Sequence, residues 1–248
     1  MALQYALVIW FGWLFCSSEK ENMQKYNILG LTLCDYNVRE ALRNTDKYLK
    51  NGALNTVAYI SGTLLAQVSK DEKLTEYLER IDMTMCMDPD ILEAAGIAGR
   101  SRVREIDEKM YFRGLLRKLA RIRGSVYLMA DSEENLETLK EVVLGYQENL
   151  NICGSGVYEQ FGEQPERLVN ELNDIAPKVI ISGMPFGVDF YIMAEYKTYV
   201  NAELWLSLPA GTVSLTQNAS FWVKLKRKLD YRKFIRQVLV YNKKTDSE

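Results

Sequence analysis

From Tyr26 onward the chain alternates short apolar runs with stretches whose apolar residues recur at helical spacing, and this alternation constrains the fold more than any other feature. Apolar runs about five to seven residues long, separated by amphipathic segments, predict a mostly parallel sheet covered by helices. The expected strands are Tyr26–Cys34, Thr56–Ile60, Met83–Met87, Ser125–Met129, Leu150–Cys153, Val179–Ser182 and Leu204–Leu208. Between them, NVREALRNTDKYLKNG carries Val38, Ala41, Leu42 and Leu49 on one side and stops at Gly52, while SEENLETLKEVVLGYQEN opens at Ser132. Both read as covering helices. The sequence shows neither an internal repeat nor a Ser/Gly-rich linker, so one Rossmann-like α/β domain is expected over residues 23–218. An apolar segment, 1–22, precedes it, and a basic helical appendage, 219–248, follows.

The 248 residues include no histidine, which excludes a Ser/His/Asp triad, a Cys/His dyad, histidine general-base chemistry and histidine-ligated metal sites. The four cysteines (Cys16, Cys34, Cys86, Cys153) form no C-x-x-C, so zinc-ribbon and thioredoxin-type motifs are absent as well, and a reducing compartment fits. Acid/base work then falls to carboxylates, Lys, Tyr or Cys.

The formal net charge of −2 conceals a strong asymmetry. Phe221 to Lys244 holds nine basic residues and one acidic residue, Asp230, a local +8 that leaves −10 on the rest of the chain. Aromatic and aliphatic residues interleave with the bases: Phe221, Trp222, Leu225, Leu229, Tyr231, Phe234 and Ile235. Such a tail suits an anionic membrane or a lipid diphosphate, or else nucleic acid, and the acidic body argues against nucleic acid. FRGLLRKLARIR (Phe112 to Arg123) repeats the pattern more weakly; it reads either as a helix for an anionic surface or as a covering helix with Leu115, Leu116, Leu119 and Ile122 on the sheet. Met1 to Cys16 is uncharged and apolar. As a helix it would reach ~24 Å, short of a bilayer core, so it reads as a short anchor or interfacial segment, an over-extended start, or a cleaved signal.

Ligands of open α/β sheets bind beyond the carboxyl ends of the strands, which directs attention to five junctions. Asp88, after MTMCM and before Pro89, reads as a general base or as a plain N-cap with proline at the first helical position. Asp88-Pro89-Asp90 also spells a D-x-D, a weak metal signal. Ser61-Gly62-Thr63 offers amides to a phosphate, or Thr63 as a helix cap. Gly154-Ser155-Gly156 begins a dinucleotide fingerprint that Glu159 breaks, so a plain turn is expected there. Ala130-Asp131-Ser132 and Gly183-Met184-Pro185 complete the set.

The order of these elements, over roughly residues 23–215, resembles the WecG/TagA/CpsF family of bacterial glycosyltransferases. YNILGLTLCDYNVREALRNTDKYLKNG is similar to the family's opening strand and helix, and NTVAYISGTLLAQVSKDEKLTEYLERIDMTMCMD to the next βαβ segment. Arg102-Val103-Arg104-Glu105-Ile106-Asp107 resembles R-V-x-G-x-D, and VIISGMPFGVDFYI stands in the place of G-x-P-x-Q-E. The resemblance implies an inverting, metal-independent transferase without cofactor, moving a sugar from a nucleotide diphosphate, such as a UDP-sugar, to a polyprenyl-diphosphate-linked acceptor at the inner face of the membrane. By that pattern Asp88 is the base, Ser61, Arg102, Asp107, Gly183 and Pro185 shape the pocket, and Arg227, Arg232 and Arg236 reach the diphosphate. The departures are specific: T-x-N becomes Tyr59-Ile60-Ser61, P-D-G becomes Met87-Asp88-Pro89, Q-E becomes Gly187-Val188, and G-x-F-D becomes Gly211-Thr212-Val213-Ser214. Two readings follow: a pocket refitted for another donor or acceptor, or a silent companion of a partner glycosyltransferase. Self-association into a homo-oligomer is compatible with either.

Overall fold

The computed structural model describes residues 24–161, 164–184, 187–209 and 221–245, with side chains in the last segment from 232 to 244. The apolar segment 1–22, Pro185 and Gly211 to Ser214 lie outside the described residues.

Six strands form one parallel sheet: β3 (Asn55–Ile60), β4 (Met83–Cys86), β5 (Ser125–Ala130), β6 (Asn151–Val157), β7 (Val179–Gly183) and β8 (Leu204–Ser207), in the order β4-β3-β8-β7-β5-β6. Along β3, Ala58 and Ile60 face one core, while Val57 and Tyr59 face the other. That period-two split, with all six residues of β3 buried, is what a sheet covered on both faces requires.

The covering helices follow from the handedness of parallel crossovers. One face carries α1 (Val38–Tyr48), α5 (Arg100–Asp107), α6 (Met110–Ile122) and α7 (Glu133–Tyr146), with Ala41, Leu115, Leu119, Leu139 and Val143 in its core. Ser132 and Asn37 cap α7 and α1; Asn37 and Glu40 form a reciprocal capping box. The second face carries α2 (Gly62–Val68), α3 (Glu72–Glu79), α8 (Tyr158–Phe161), α9 (Pro165–Ile175) and α10 (Val188–Tyr196), packed around Trp205, Leu65, Leu168 and Ile192. In α6 the leucines are buried, as the covering-helix reading expects, while Ile122 stays 45% exposed.

Three sequence expectations need correction. Tyr26–Cys34 is a hairpin and not one strand: β1 (Lys25–Ile28) and β2 (Leu31–Cys34) pair antiparallel, outside the parallel sheet. The turn is made by Leu29 and Gly30, both left-handed at φ 54° and 80°, and the strain at Leu29 is offset by burying its side chain. Gly154-Ser155-Gly156 is not a turn: β6 runs through it, registered against Tyr127, Leu128 and Met129 of β5. A Cβ on Gly154 would lie 2.9 Å from the Tyr127 ring and one on Gly156 2.3 Å from its hydroxyl, so these glycines accommodate a tyrosine and not a dinucleotide. Thr63 does not cap α2; Ser61 does, its Oγ accepting from the amide of Leu64 at 3.2 Å.

Two elements complete the described residues. α4 (Pro89–Ala94) follows β4, and α11 (Phe221–Thr245) packs on α2 and α4. Phe234 and Val238 of α11 are buried in the second core, and the Tyr241 hydroxyl reaches Gly30 in the hairpin turn, where a Cβ would lie 2.6 Å away. No helix of the described residues is long and apolar enough to cross a membrane.

Candidate active site

The carboxyl ends of β3 and β4 are level, because the Met87 amide donates to the Ile60 carbonyl at 2.7 Å. This sets Ser61 and Asp88 beyond adjacent strands, where an open α/β sheet receives its ligands. Asp88 is half-buried and stands at the N-cap of α4, with Pro89 at the first helical position, but its side chain makes no capping hydrogen bond. The cap geometry foreseen for Asp88 is therefore present in the backbone, and the carboxylate is not held by the helix amides.

Two cations stand near this edge, and they differ in kind. Arg102, on α5, donates to Asp35 at 2.5 Å, to the Tyr36 carbonyl at 2.7 Å and to Glu105. Glu105 also accepts from the Val38 amide at 3.2 Å, so the cluster ties α5 to the start of α1. The Nε of Arg102 is buried with no hydrogen-bond partner among the described residues. The guanidinium of Arg102 is thus already engaged by two carboxylates. Asp107, at the end of the same helix, is exposed. Lys109 was not legible in the sequence. It is 8% exposed, has a left-handed backbone at φ 51°, and its Nζ donates to the carbonyl of Met87 at 3.1 Å, the residue before Asp88.

Gly183 ends β7 opposite Ala130 of β5 and is buried. The side chain of Asp131, at the next junction, accepts from Ser132 N at 2.9 Å and Asn135 Nδ2 at 2.6 Å, a local cap. A second carboxylate missed in the sequence lies beyond β7. Asp189, in the first turn of α10, is 3% exposed and accepts from Ser207 Oγ at 2.8 Å, while Ser182 Oγ accepts from Trp205 Nε1 at 2.7 Å. Burial pushes its carboxyl up to about 6 from 3.8; the hydroxyls of Ser182 and Ser207 and the Met184 amide pull the other way. It follows the Gly187-Val188 pair directly, so a carboxylate is present one residue beyond where the motif places Gln-Glu.

The residues that replace the motif's polar groups have other work. Tyr59 is buried with its ring 6.1 Å from that of Tyr111, and burial holds its hydroxyl well above the usual range. Ser61 caps α2. Of the three arginines assigned to the tail, Arg232 and Arg236 are exposed on α11, and the side chain of Arg227 lies outside the described residues. The contact of Phe234 with Gly62 docks α11 beside the end of β3, so the basic helix borders the same edge as Asp88.

A parallel α/β sheet covered by helices on both faces, with Asp88, the buried Lys109 and the docked helix α11 at its carboxyl edge, defines a Rossmann-like protein. The glycosyl transferase WecG/TagA/CpsF family model matches residues 26–212, and the chain belongs to this family. No curated protein matches the sequence.

Proposed function

We propose that the protein transfers a sugar from a nucleotide diphosphate, a UDP-sugar, to a polyprenyl-diphosphate-linked acceptor in cell-surface polysaccharide synthesis, with inversion and without a metal or cofactor. The observation that carries this reading is Asp88, a half-buried carboxylate beyond β4 whose side chain does not cap its own helix. Asp88 takes the proton of the acceptor hydroxyl as that oxygen bonds to the anomeric carbon, and the bond from that carbon to the donor diphosphate breaks. The departing nucleoside diphosphate accumulates negative charge, which cations of α11 (Arg232 and Arg236, with Arg227) stabilise. Lys109 fixes the main chain immediately before the base, and Arg102 holds the wall formed by α5 and α1. Ser61, Asp107 and Gly183 border the donor, and Pro185 is assigned there by the family pattern alone.

α11 also supports work at the inner face of the membrane. It exposes Leu239 (57%), Val240 (51%) and Tyr241 (38%) among Lys233, Arg236, Lys243 and Lys244, the apolar and basic combination that an anionic bilayer surface attracts.

The test is transfer from a panel of UDP-sugars to a lipid-diphosphate acceptor by the wild type and by Asp88→Asn. Equal activity removes Asp88 from the mechanism. A second reading, an accessory subunit of another glycosyltransferase, draws on Tyr59 being buried in the core. UDP titration separates the two: saturable binding disfavours the silent subunit, and its absence favours it.

A further inference from the structure

A cavity of about 510 Å³ opens at the amino-terminal edge of the sheet, opposite the edge that carries Asp88. Three parts of the chain build it: Asp46, Leu49 and Lys50 at the end of α1; Lys118, Arg121, Ile122 and Arg123 at the end of α6; and Ser125 and Lys178 at the entries to β5 and β7. Five cations and one carboxylate therefore line it.

Lys118 pairs with Asp46, and Lys178 with Glu203 at 2.5 Å. No carboxylate among the described residues is in ion-pair contact with Lys50, Arg121 or Arg123. The negative end of α1 accounts for Lys50, and that of α6 for Arg121 and the C-cap Arg123. They do not account for Lys178, which comes from the connection into β7, nor for the convergence of all five on one concavity. Cations converging on one concavity raise the local positive potential, which favours an anion seated among them.

We propose that this cavity is a second anion site, which takes a phosphate-bearing group between Lys50, Lys118, Arg121, Arg123 and Lys178. The group is either a free diphosphate-type anion or the headgroup of an anionic phospholipid; both present tetrahedral oxygens to ammonium and guanidinium donors. The site is independent of the transfer reaction, since none of its residues belongs to the carboxyl edge.

Two double variants separate the outcomes, with the full chain used throughout. K50E/R121E reverses two exposed cations of the cavity; R113E/R117E makes the same charge change on the exposed side of α6 outside it. The probes are inorganic diphosphate, followed by the amide resonances of Gly124 and Ser125, and vesicles of phosphatidylcholine with and without phosphatidylglycerol, followed by co-sedimentation. The expected result is that K50E/R121E weakens one of these interactions about tenfold while R113E/R117E leaves it near wild type. Loss of the diphosphate response assigns a free anion, and loss of phosphatidylglycerol-dependent sedimentation assigns the headgroup. Equal losses in the two variants, or no loss in either assay, overturn the proposal. UDP binding to K50E/R121E at the wild-type level keeps this result distinct from any failure of the transfer reading.

Discussion

The ring of Phe234 lies against Gly62, so close that a Cβ added there would sit 2.9 Å from it. Gly62 is the first residue of α2, directly after the Ser61 cap, and Phe234 is itself 2% exposed. One aromatic side chain therefore joins the basic helix to the ligand edge of the sheet, and only a residue without a side chain leaves room for it.

Phe234→Ala removes this anchor at a cost of about 3–5 kcal/mol to the docking of α11. Limited trypsin digestion is the measurement. Cleavage at Arg232, Lys233 and Arg236 is expected to accelerate at least about tenfold, while the main thermal transition moves by only a few degrees. An unchanged digestion rate would show that α11 is held by other contacts.

Asp88→Asn keeps the volume and the backbone of the cap while abolishing the base. Transfer activity is expected to fall about 10²–10⁴-fold, with the affinity for UDP changed less than about threefold. A parallel loss of UDP binding would assign Asp88 to donor binding.

Asp189 gives the stability of the fold a pH dependence of definite sign. Its carboxyl titrates at about 6 when folded and at its ordinary 3.8 when not. Between these values the folded chain holds a proton that the unfolded chain has released, so its contribution is full below the unfolded value, declines as pH rises through 6, and is lost above it. The amplitude is on the order of 2–3 kcal/mol. Asp189→Asn lacks this titration, so urea unfolding of wild type and variant should diverge progressively from about pH 4 to pH 7. Curves that stay parallel would place the folded carboxyl near its ordinary value.

Gly156→Ala puts a methyl 2.3 Å from the Tyr127 hydroxyl, which donates to Glu171. The expected cost is about 1–3 kcal/mol, read as a lowered melting temperature with nucleotide binding unaffected. Gly156→Ala combined with Tyr127→Phe should recover part of that loss, because the clashing oxygen is removed.

The parallel sheet was legible because burial on both faces forces runs such as NTVAYI and VIISG, which short strands alone satisfy. The β1–β2 hairpin was not, since its turn places Leu29 at positive φ where local sequence favours Asn or Gly, and burial of that leucine overrides the preference. Gly154-Ser155-Gly156 read as a turn because the reason for its glycines, the ring of Tyr127, lies 27 residues from Gly154 on the neighbouring strand. At the site, Asp88 announced itself by following a strand and preceding a proline. Lys109 and Asp189 did not, because a lysine beside an acidic helix end and an aspartate at a helix start look solvated until tertiary packing closes over them.

The placement of β8 bears on how the chain assembles. Of the described strands it is the last made, yet it pairs with β3 on one side and β7 on the other. Without Leu204–Ser207 in place, β3-β4 and β7-β5-β6 would share no strand, and each would present an unpaired interior edge. The closing step inserts one four-residue strand into that slot, carrying Trp205 into the core of the second face. Such an order makes the late nascent chain prone to edge-to-edge association, and it makes the segment around Trp205 the point at which the two halves become one cooperative unit.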